Sequence, residues 1–301
     1  MANLLDIRRR IKSVKNTQQI TRAMKMMSAA RLKRAQDRVV MARPFANKML
    51  EVLSEIAAHT DEDFHHPLLD ARGDERYLVI LITADRGLCG AFNTNLIKAA
   101  QAFVRENEGK TIEMLPIGRK GRDFFRRRNM TFVNEYIGLT GKGSVAYSEA
   151  IDIARDVIKR FTEDEGVDKV FIIYNEFRSV LSQRVVIEQL LPVSRTTETT
   201  DEGASDAATA TARPATFTEY IYEQPPGEIF SRLLPRLIET QIFRALLESV
   251  ASEHGARMTA MDSASKNAGE LIGTLTLNMN RIRQAAITNE IIEVVSGAAA
   301  L

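Results

Sequence analysis

The first glycine of this 301-residue chain is Gly73, the first proline is Pro44, and no proline follows Pro235. Glycine and proline are the strongest local breakers of regular structure, so the two ends of the chain are permitted to run as long helices and the middle is not. Residues 1–58 are rich in Ala, Met, Leu, Lys, Arg and Gln, all good helix formers, with Pro44 the one expected kink or break. At ~1.5 Å rise per residue this helix would reach roughly 80 Å, and a second helix over 227–296 roughly 100 Å. Neither length suits an ordinary globular helix.

Both ends carry apolar stripes. In the second, Met261, Ala264, Ala268, Leu271 or Ile272, Leu275, Met279, Ile282 and Ala286 recur at steps of three and four, which makes a seam for a partner helix. In the first, Ile7, Ile11 and Val14 begin a seam, Gln18 and Thr21 interrupt it, and Leu32, Ala35, Val39 and Ala42 resume it. An antiparallel coiled coil of the two ends is expected, with the middle of the chain as an insert. The lapses in the pattern, and the small residues along both stripes, suggest a close-packed hairpin that also touches other proteins.

The middle is written in short apolar runs bounded by glycines. Residues 77–83 (YLVILIT) read as a strand buried on both faces, 169–174 (KVFIIY) as a second strong strand, and 111–117 and 131–137 as weaker ones. Helices are expected over 91–107, 120–128 and 144–163. This alternation implies a small Rossmann-like unit with a mostly parallel sheet. Residues 183–191 add a last strand, for which an antiparallel pairing is open. Residues 196–212 hold six Thr, five Ala and four acids with no large apolar residue, the composition of a mobile insertion. The chain thus divides into an N-terminal coiled-coil helix (1–58), an α/β part (59–217) and a C-terminal coiled-coil helix (218–301).

Overall charge is only +2, but residues 8–43 carry twelve Lys or Arg against the single acid Asp37. Such a helix repels itself and calls for an anionic partner: nucleic acid, an acidic protein collar or a membrane surface. Residues 1–43 contain no aromatic side chain to stack on bases, which argues against single-stranded nucleic acid. The chain lacks an apolar run long enough to span a bilayer as a helix, and its basic start lacks the apolar core of a secretory signal. One cysteine, Cys89, excludes a disulfide within the chain.

Chemistry finds little to work with. The loop 83–93 (TADRGLCGAFN) follows a strand and leads into a helix, where open α/β sheets bind ligands, yet it lacks the glycine spacing of either common phosphate loop. The run 138–144 (GLTGKGS) also fails the P-loop pattern. No His and acid pair is spaced to activate Cys89, which is expected to pack in the core. His59, His65, His66 and His254 have no metal-ligand spacing and read as solvated. Glu290 and Glu293 lie at helical spacing and read as a polar face. No catalytic residue, cofactor-binding residue or metal ligand is therefore expected.

The run Arg281-Ile-Arg-Gln-Ala-Ala-Ile-Thr-Asn-Glu-Ile-Ile-Glu-Val-Val-Ser-Gly-Ala-Ala-Ala-Leu301 resembles the C-terminal signature of the gamma subunits of F-type ATP synthases. The N-terminal residues 6–8 (DIR) and 12–24 (KSVKNTQQITRAM), and the loop 85–93 (DRGLCGAFN), resemble the same family. These three blocks bracket nearly the whole chain. The resemblance implies a non-catalytic rotor shaft inside an alternating hexamer of alpha and beta subunits, with epsilon and the c-ring as further partners. Membrane association would come through the complex only, at the cytoplasmic face of a bacterial inner membrane.

The resemblance also implies residue roles. Arg283 and Gln284 match a polar catch that bonds acidic loops of beta, with Thr288, Glu290 and Glu293 extending it and Arg257 joining from an earlier turn. Met24 matches a position facing the acidic collar of beta, with Lys25 beside it. Residues 294–301 would form a bearing tip, with Gly297 as a helix stop. The competing readings are a basic helical nucleic-acid-binding protein and a small α/β enzyme with helical oligomerisation arms. The first lacks a base-stacking set and the second a catalytic cluster.

Overall fold

Helix α1 (Leu4–Ala58) and helix α5 (Pro226–Ala299) take up the two breaker-poor ends as single helices of 55 and 74 residues. The computed structural model describes residues 4–58, 65–142, 145–163, 166–180, 182–193 and 225–299. The expected insertion at 196–212 and His59 lie outside the described residues. Pro44 sits inside α1 and Pro235 inside α5, so the break expected at Pro44 does not occur. A proline removes one backbone hydrogen bond and crowds the preceding turn. Buried neighbours hold the helix on both sides of each, Val39 and Ala46 around Pro44 and Leu234 and Leu237 around Pro235.

Along α1 the covered positions step by four and three without a gap: Ile7, Ile11, Val14, Gln18, Thr21, Lys25, Ser28, Leu32, and onward through Ala35 and Val39. That is the 3.5-residue period of a coiled-coil seam. Gln18 and Thr21 do not interrupt the seam. They belong to it, and hydrogen bonds satisfy them there. On α5 the matching positions are Met261, Ser265, Ala268, Ile272, Leu275, Met279 and Ile282. Ser265 takes the place expected of Ala264, Ile272 is the seam member of the two alternatives while Leu271 is exposed, and Ala286 falls outside the seam.

Two compact units divide the chain: Met1–Leu32 with Leu88–Gly90 and His254–Leu301, and Lys33–Gly87 with Ala91–Glu253. The first is a helix pair. Thr21 meets Ser265 and, four residues on, Lys25 meets Asp262, so the two helices run antiparallel. Gly90, at φ 56°, lets the short Leu88–Gly90 segment approach Ala260, where an added Cβ would lie at 3.8 Å. Cys89 is buried there, as expected of a packing cysteine.

The second unit is built on a four-stranded sheet of order β2-β1-β3-β4, with β1 (Arg76–Ile82), β2 (Thr111–Ile117), β3 (Lys169–Phe177) and β4 (Gln183–Leu191). β1 pairs parallel to β2 and to β3, and β4 closes the edge antiparallel to β3. Every residue of β1 after Arg76 is buried, as a parallel strand covered on both faces requires. The helices α2 (Phe92–Glu106), α3 (Arg119–Arg126) and α4 (Tyr147–Thr162) follow the order expected from sequence. Phe103 of α2 packs on Phe171 of β3 at 4.8 Å between ring centres.

The strand expected at 131–137 is absent. Only two isolated bridges form, Met114 with Phe132 and Ile117 with Tyr136. The residues between them turn to side-chain partners instead: Asn134 donates to Asp156 at 2.5 Å and Arg126 donates to Glu135 at 2.6 Å. Within the same unit α1 and α5 are tied by Arg43, whose guanidinium grips both carboxylate oxygens of buried Glu248 at 3.0 and 3.1 Å. The Phe177 amide donates to Glu248 at 2.8 Å, and Arg43 donates to the Phe177 carbonyl at 2.9 Å.

Candidate subunit-contact surface

The helix pair changes chemistry at the layer of Gln18, Thr21 and Ser265. The hydroxyls of Thr21 and Ser265 lie 2.7 Å apart and the Gln18 amide donates to the Ser265 carbonyl at 3.1 Å. Gly269 makes room for Gln18, since a Cβ there would fall 3.1 Å from Nε2. Beside this layer a groove of about 670 Å³ opens between the helices. Its walls include Arg22, Lys25, Met26, Asp262, Lys266 and Glu270.

Met24 is half-buried and Lys25 sits in the groove wall. Lys25 is ion-paired within the chain, its Nζ 2.6 Å from Oδ1 of Asp262, while Lys266 approaches Oδ2 at 3.1 Å. The Lys25 ammonium first, and Lys266 second, hold the Asp262 carboxyl below its usual range. Asp262 escaped the sequence reading. Its signal was available, an acid four residues before Lys266 on a helix that pairs with a basic one.

The register of the pair decides how much of α5 has a partner. Fourteen residues back from Thr21 lies Ile7, which brings α5 forward from Ser265 to Met279, and three more set Leu4 against Ile282. The exposure pattern turns at that point. Ile282 is the last half-buried residue, and every described side chain from 283 onward is exposed. Ile287 is 47%, Ile291 57% and Val294 72% exposed. The helix nonetheless continues to Ala299, so Gly297 does not stop it. The Gly297 Cβ position faces open space among the described residues.

At 100° per residue this projecting segment is two-sided. Ile287, Ile291 and Val294 share one face, with Gln284 and Thr288 at its flank. Arg283 and Glu290 line its opposite flank, with Glu293 further round the helix. The Thr288 hydroxyl donates to the Gln284 carbonyl at 2.9 Å. The expected catch residues are therefore neighbours along one helix but face two directions. Arg257 stands apart from them, 26 residues before Arg283, or ~39 Å along the helix. It is buried, with Nη1 at 3.4 Å from Nδ1 of His254.

His254 itself is buried rather than solvated as expected, in a stretch of α5 where every residue from Ala245 to Gly255 is buried. Burial first, and then the charges of Arg257 and Arg31, push its pKa down to about 4. His65 is exposed, and His66 is half-buried, with Nδ1 accepting from the Leu68 amide at 3.2 Å. Among the described residues no group of three or more His, Cys, Asp or Glu is placed to hold a metal ion.

The loop after β1 resolves in favour of structure over ligand. The Asp85 carboxylate accepts from the amides of Arg119, Gly138 and Gly141 at 3.1, 3.0 and 3.0 Å and from the Thr140 hydroxyl at 3.0 Å. These donors, including one at the start of α3, are what a bound anion would use. The chain's own carboxylate already fills the position. Gly118, at φ 95°, is needed beside it, since a Cβ would fall 2.1 Å from the Thr83 carbonyl oxygen. A second cavity of about 680 Å³ in the sheet unit has apolar walls including Phe45, Met49 and Phe243. Its Tyr147 hydroxyl donates to Glu239 at 2.9 Å.

A family model described as ATP synthase matches residues 3–301. The ATP synthase gamma chain of Solibacter usitatus is 51% identical over 303 residues, covering 100% of this chain and 99% of the relative. That of Geotalea daltonii is 51% identical over 300 residues, 99% of this chain and 98% of the relative. A solved chain of the Euglena gracilis mitochondrial ATP synthase (OSCP/F1/c-ring, rotational state 3) shares the fold at a TM-score of 0.67 and 20% identity, covering 99% of this chain and 94% of its own. One from the central stalk and c-ring of the Tetrahymena thermophila enzyme gives 0.57 at 25% identity, covering 82% and 99%. With this match along its whole length, the chain belongs to the ATP synthase gamma chain family.

Proposed function

We propose that this chain is the central-stalk rotor subunit of a proton-translocating F-type ATP synthase. It couples rotation of a membrane c-ring to ATP synthesis or hydrolysis at beta-subunit sites and catalyses nothing itself. Its partners are alpha and beta subunits in alternation around the helix pair, with epsilon and the c-ring at the α/β part, residues 59–217. It is held peripherally, through the complex, at the cytoplasmic face of a bacterial inner membrane. The bacterial origin of the similar gamma chains supports that placement.

One observation carries the reading beyond family membership. Among the described residues no helix lies beside α5 from 283 onward, and Ile287, Ile291, Val294 and Val295 are exposed. A lone helical segment of this length is marginal in water, and one with an apolar face needs a sleeve. A ring of other subunits supplies it. Rotation of a two-sided tip would present Arg283, Glu290 and Glu293 to one neighbour while Gln284 and Thr288 meet another. Each neighbour then feels a different contact free energy at each angle, and that difference is what shifts a site between conformations. Met24 and Lys25 add a contact to an acidic collar, and Arg257 supports the helix that carries the catch.

The test is co-expression with alpha and beta subunits of a related bacterium and native mass spectrometry of the purified complex. One copy per three alpha and three beta is the expected result. A chain that joins no such hexamer and instead binds duplex DNA with a steep salt dependence would overturn the proposal.

A further inference from the structure

The groove beside the polar layer carries three cations, Arg22, Lys25 and Lys266, against two acids, Asp262 and Glu270. Among the described residues Arg22 and Glu270 have no ion-pair partner, while Asp262 has two. We infer that Asp262 is a built-in competitor, which holds Lys25 of α1 and Lys266 of α5 in the place that an incoming carboxylate-bearing segment would take. The inference rests on the reading of this face as a subunit contact, and it adds the regulation of that contact.

Three observations carry it. Both oxygens of one carboxylate are used, Oδ1 toward Lys25 at 2.6 Å and Oδ2 toward Lys266 at 3.1 Å, so a single residue masks two charges on two helices. The lysine side chains are 44% and 72% exposed, so a partner reaches them without backbone movement. The groove is wide enough for side chains of an acidic segment to enter, and its unpaired Arg22 already favours one.

The physical consequence is a contact that lets go. Without Asp262, each lysine captured by a partner acid would return to water on release, and the full attraction would oppose separation. With Asp262 present, the lysines exchange one carboxylate for another, so only the difference between the two is felt. A surface that must meet several like neighbours in turn needs attraction of this moderated kind.

The experiment uses the full chain, a fluorescent twelve-residue oligoglutamate peptide, and anisotropy at low salt. Asp262→Asn should tighten peptide binding about threefold to tenfold, the range expected of freeing exposed charge pairs, and high salt should remove the gain. Glu108→Gln, which changes net charge equally in the exposed turn after α2, should not reproduce it. Lys25→Ala or Lys266→Ala in the Asp262→Asn chain should erase most of it. Equal binding by Asp262→Asn and Glu108→Gln overturns the inference, as does failure of every variant to bind the peptide. If all variants also assemble one per hexamer, the rotor reading stands without it. If Asp262→Asn binds more tightly but no variant joins a hexamer, the carboxylate competition stands and the rotor reading falls.

Discussion

Thr21 and Ser265 meet hydroxyl to hydroxyl at 2.7 Å across the two terminal helices, and each is also bonded to its own helix, Thr21 to the Gln18 carbonyl and Ser265 to the Met261 carbonyl. The two hydroxyls have two protons for these three contacts and share them, so neither group is stranded when buried. A polar layer of this kind in an apolar seam fixes how two helices face each other, with some loss of stability. Thr21→Val should cost about 0.5–1.5 kcal/mol, because Ser265 keeps its bond to Met261. Combining it with Ser265→Ala should cost less than the sum, by about 0.5–1 kcal/mol. Hydrogen exchange at the amides of residues 18–25 reads this locally, and strict additivity would show that the two hydroxyls do not interact.

Glu248 is a buried carboxylate held by a half-exposed partner. Its side chain is 3% exposed against 41% for Arg43, so removing the arginine leaves a charge with little access to water. Arg43→Ala should therefore destabilise the sheet unit by about 2–4 kcal/mol, near the lower part of the range for broken buried pairs. Glu248→Gln added to Arg43→Ala should restore part of the loss, because it removes the stranded charge and keeps an acceptor for the Phe177 amide. Thermal melts of the three variants check it. A double variant less stable than Arg43→Ala would mean that the charge is not what the arginine neutralises.

The helix pair should be acid-sensitive through His254. Its folded pKa is about 4, against 6.5 for the ordinary side chain, so the unfolded chain binds the extra proton first. The stability held by neutral His254 is fully present above pH 6.5 and is lost as pH falls from 6.5 to 4, to a total of about 3 kcal/mol. Denaturant midpoints measured across this window should fall with acid in the native chain. In His254→Gln the slope should flatten. An unchanged slope would assign the acid sensitivity to other groups.

The long helices, the order of strands and helices, and the antiparallel terminal pair were all legible, because breaker spacing and apolar period report directly on helix length and buried faces. What failed was local. Gln18 and Thr21 looked like lapses because a period search counts apolar residues, and a seam position can be filled by any group whose hydrogen bonds are met. The 131–137 run has strand-forming residues, yet the Glu135 amide bonds the Asn134 side-chain oxygen instead of a neighbouring strand, and only isolated bridges form. His254 shares its face with buried Met261 and Ser265, a relationship that histidine spacing alone does not show. The Asp85 node was invisible in sequence, since its donors come from residues 119 to 141. The candidate contact residues come from resemblance, and the helical period of α5 alone sets Arg283, Glu290 and Glu293 apart from Gln284 and Thr288.

Asp85 gathers three amides and a hydroxyl from two separate loops. Asp85→Ala would leave all four donors to find water, at about 1 kcal/mol or somewhat more for each bond to a charged acceptor, so a loss of about 3–5 kcal/mol is expected. Asp85→Asn should lose less, since its amide oxygen still accepts from two of them. Thermal melts rank the two variants. If the loop were instead an anion site masked by Asp85, adding phosphate to Asp85→Ala would restore its stability, and no such rescue is expected.

The projecting end of α5 offers a way to separate folding from assembly. Ile287, Ile291 and Val294 are exposed among the described residues, so replacing all three by Ser should change the melting of the isolated chain by no more than about 0.5 kcal/mol for each site, the ordinary effect of a surface change. In the complex the same residues would be enclosed, and the loss of about 1.5–3 kcal/mol for each buried side chain should appear as weak or absent incorporation into the alpha and beta hexamer. Replacing Arg283 and Gln284 by Ala should do the reverse. The tip would still be sheathed and the subunit retained, while ATP turnover would slow, because the directional contacts that distinguish one angle from another are gone. Normal incorporation of the triple Ser variant would show that the apolar tip face does not carry assembly.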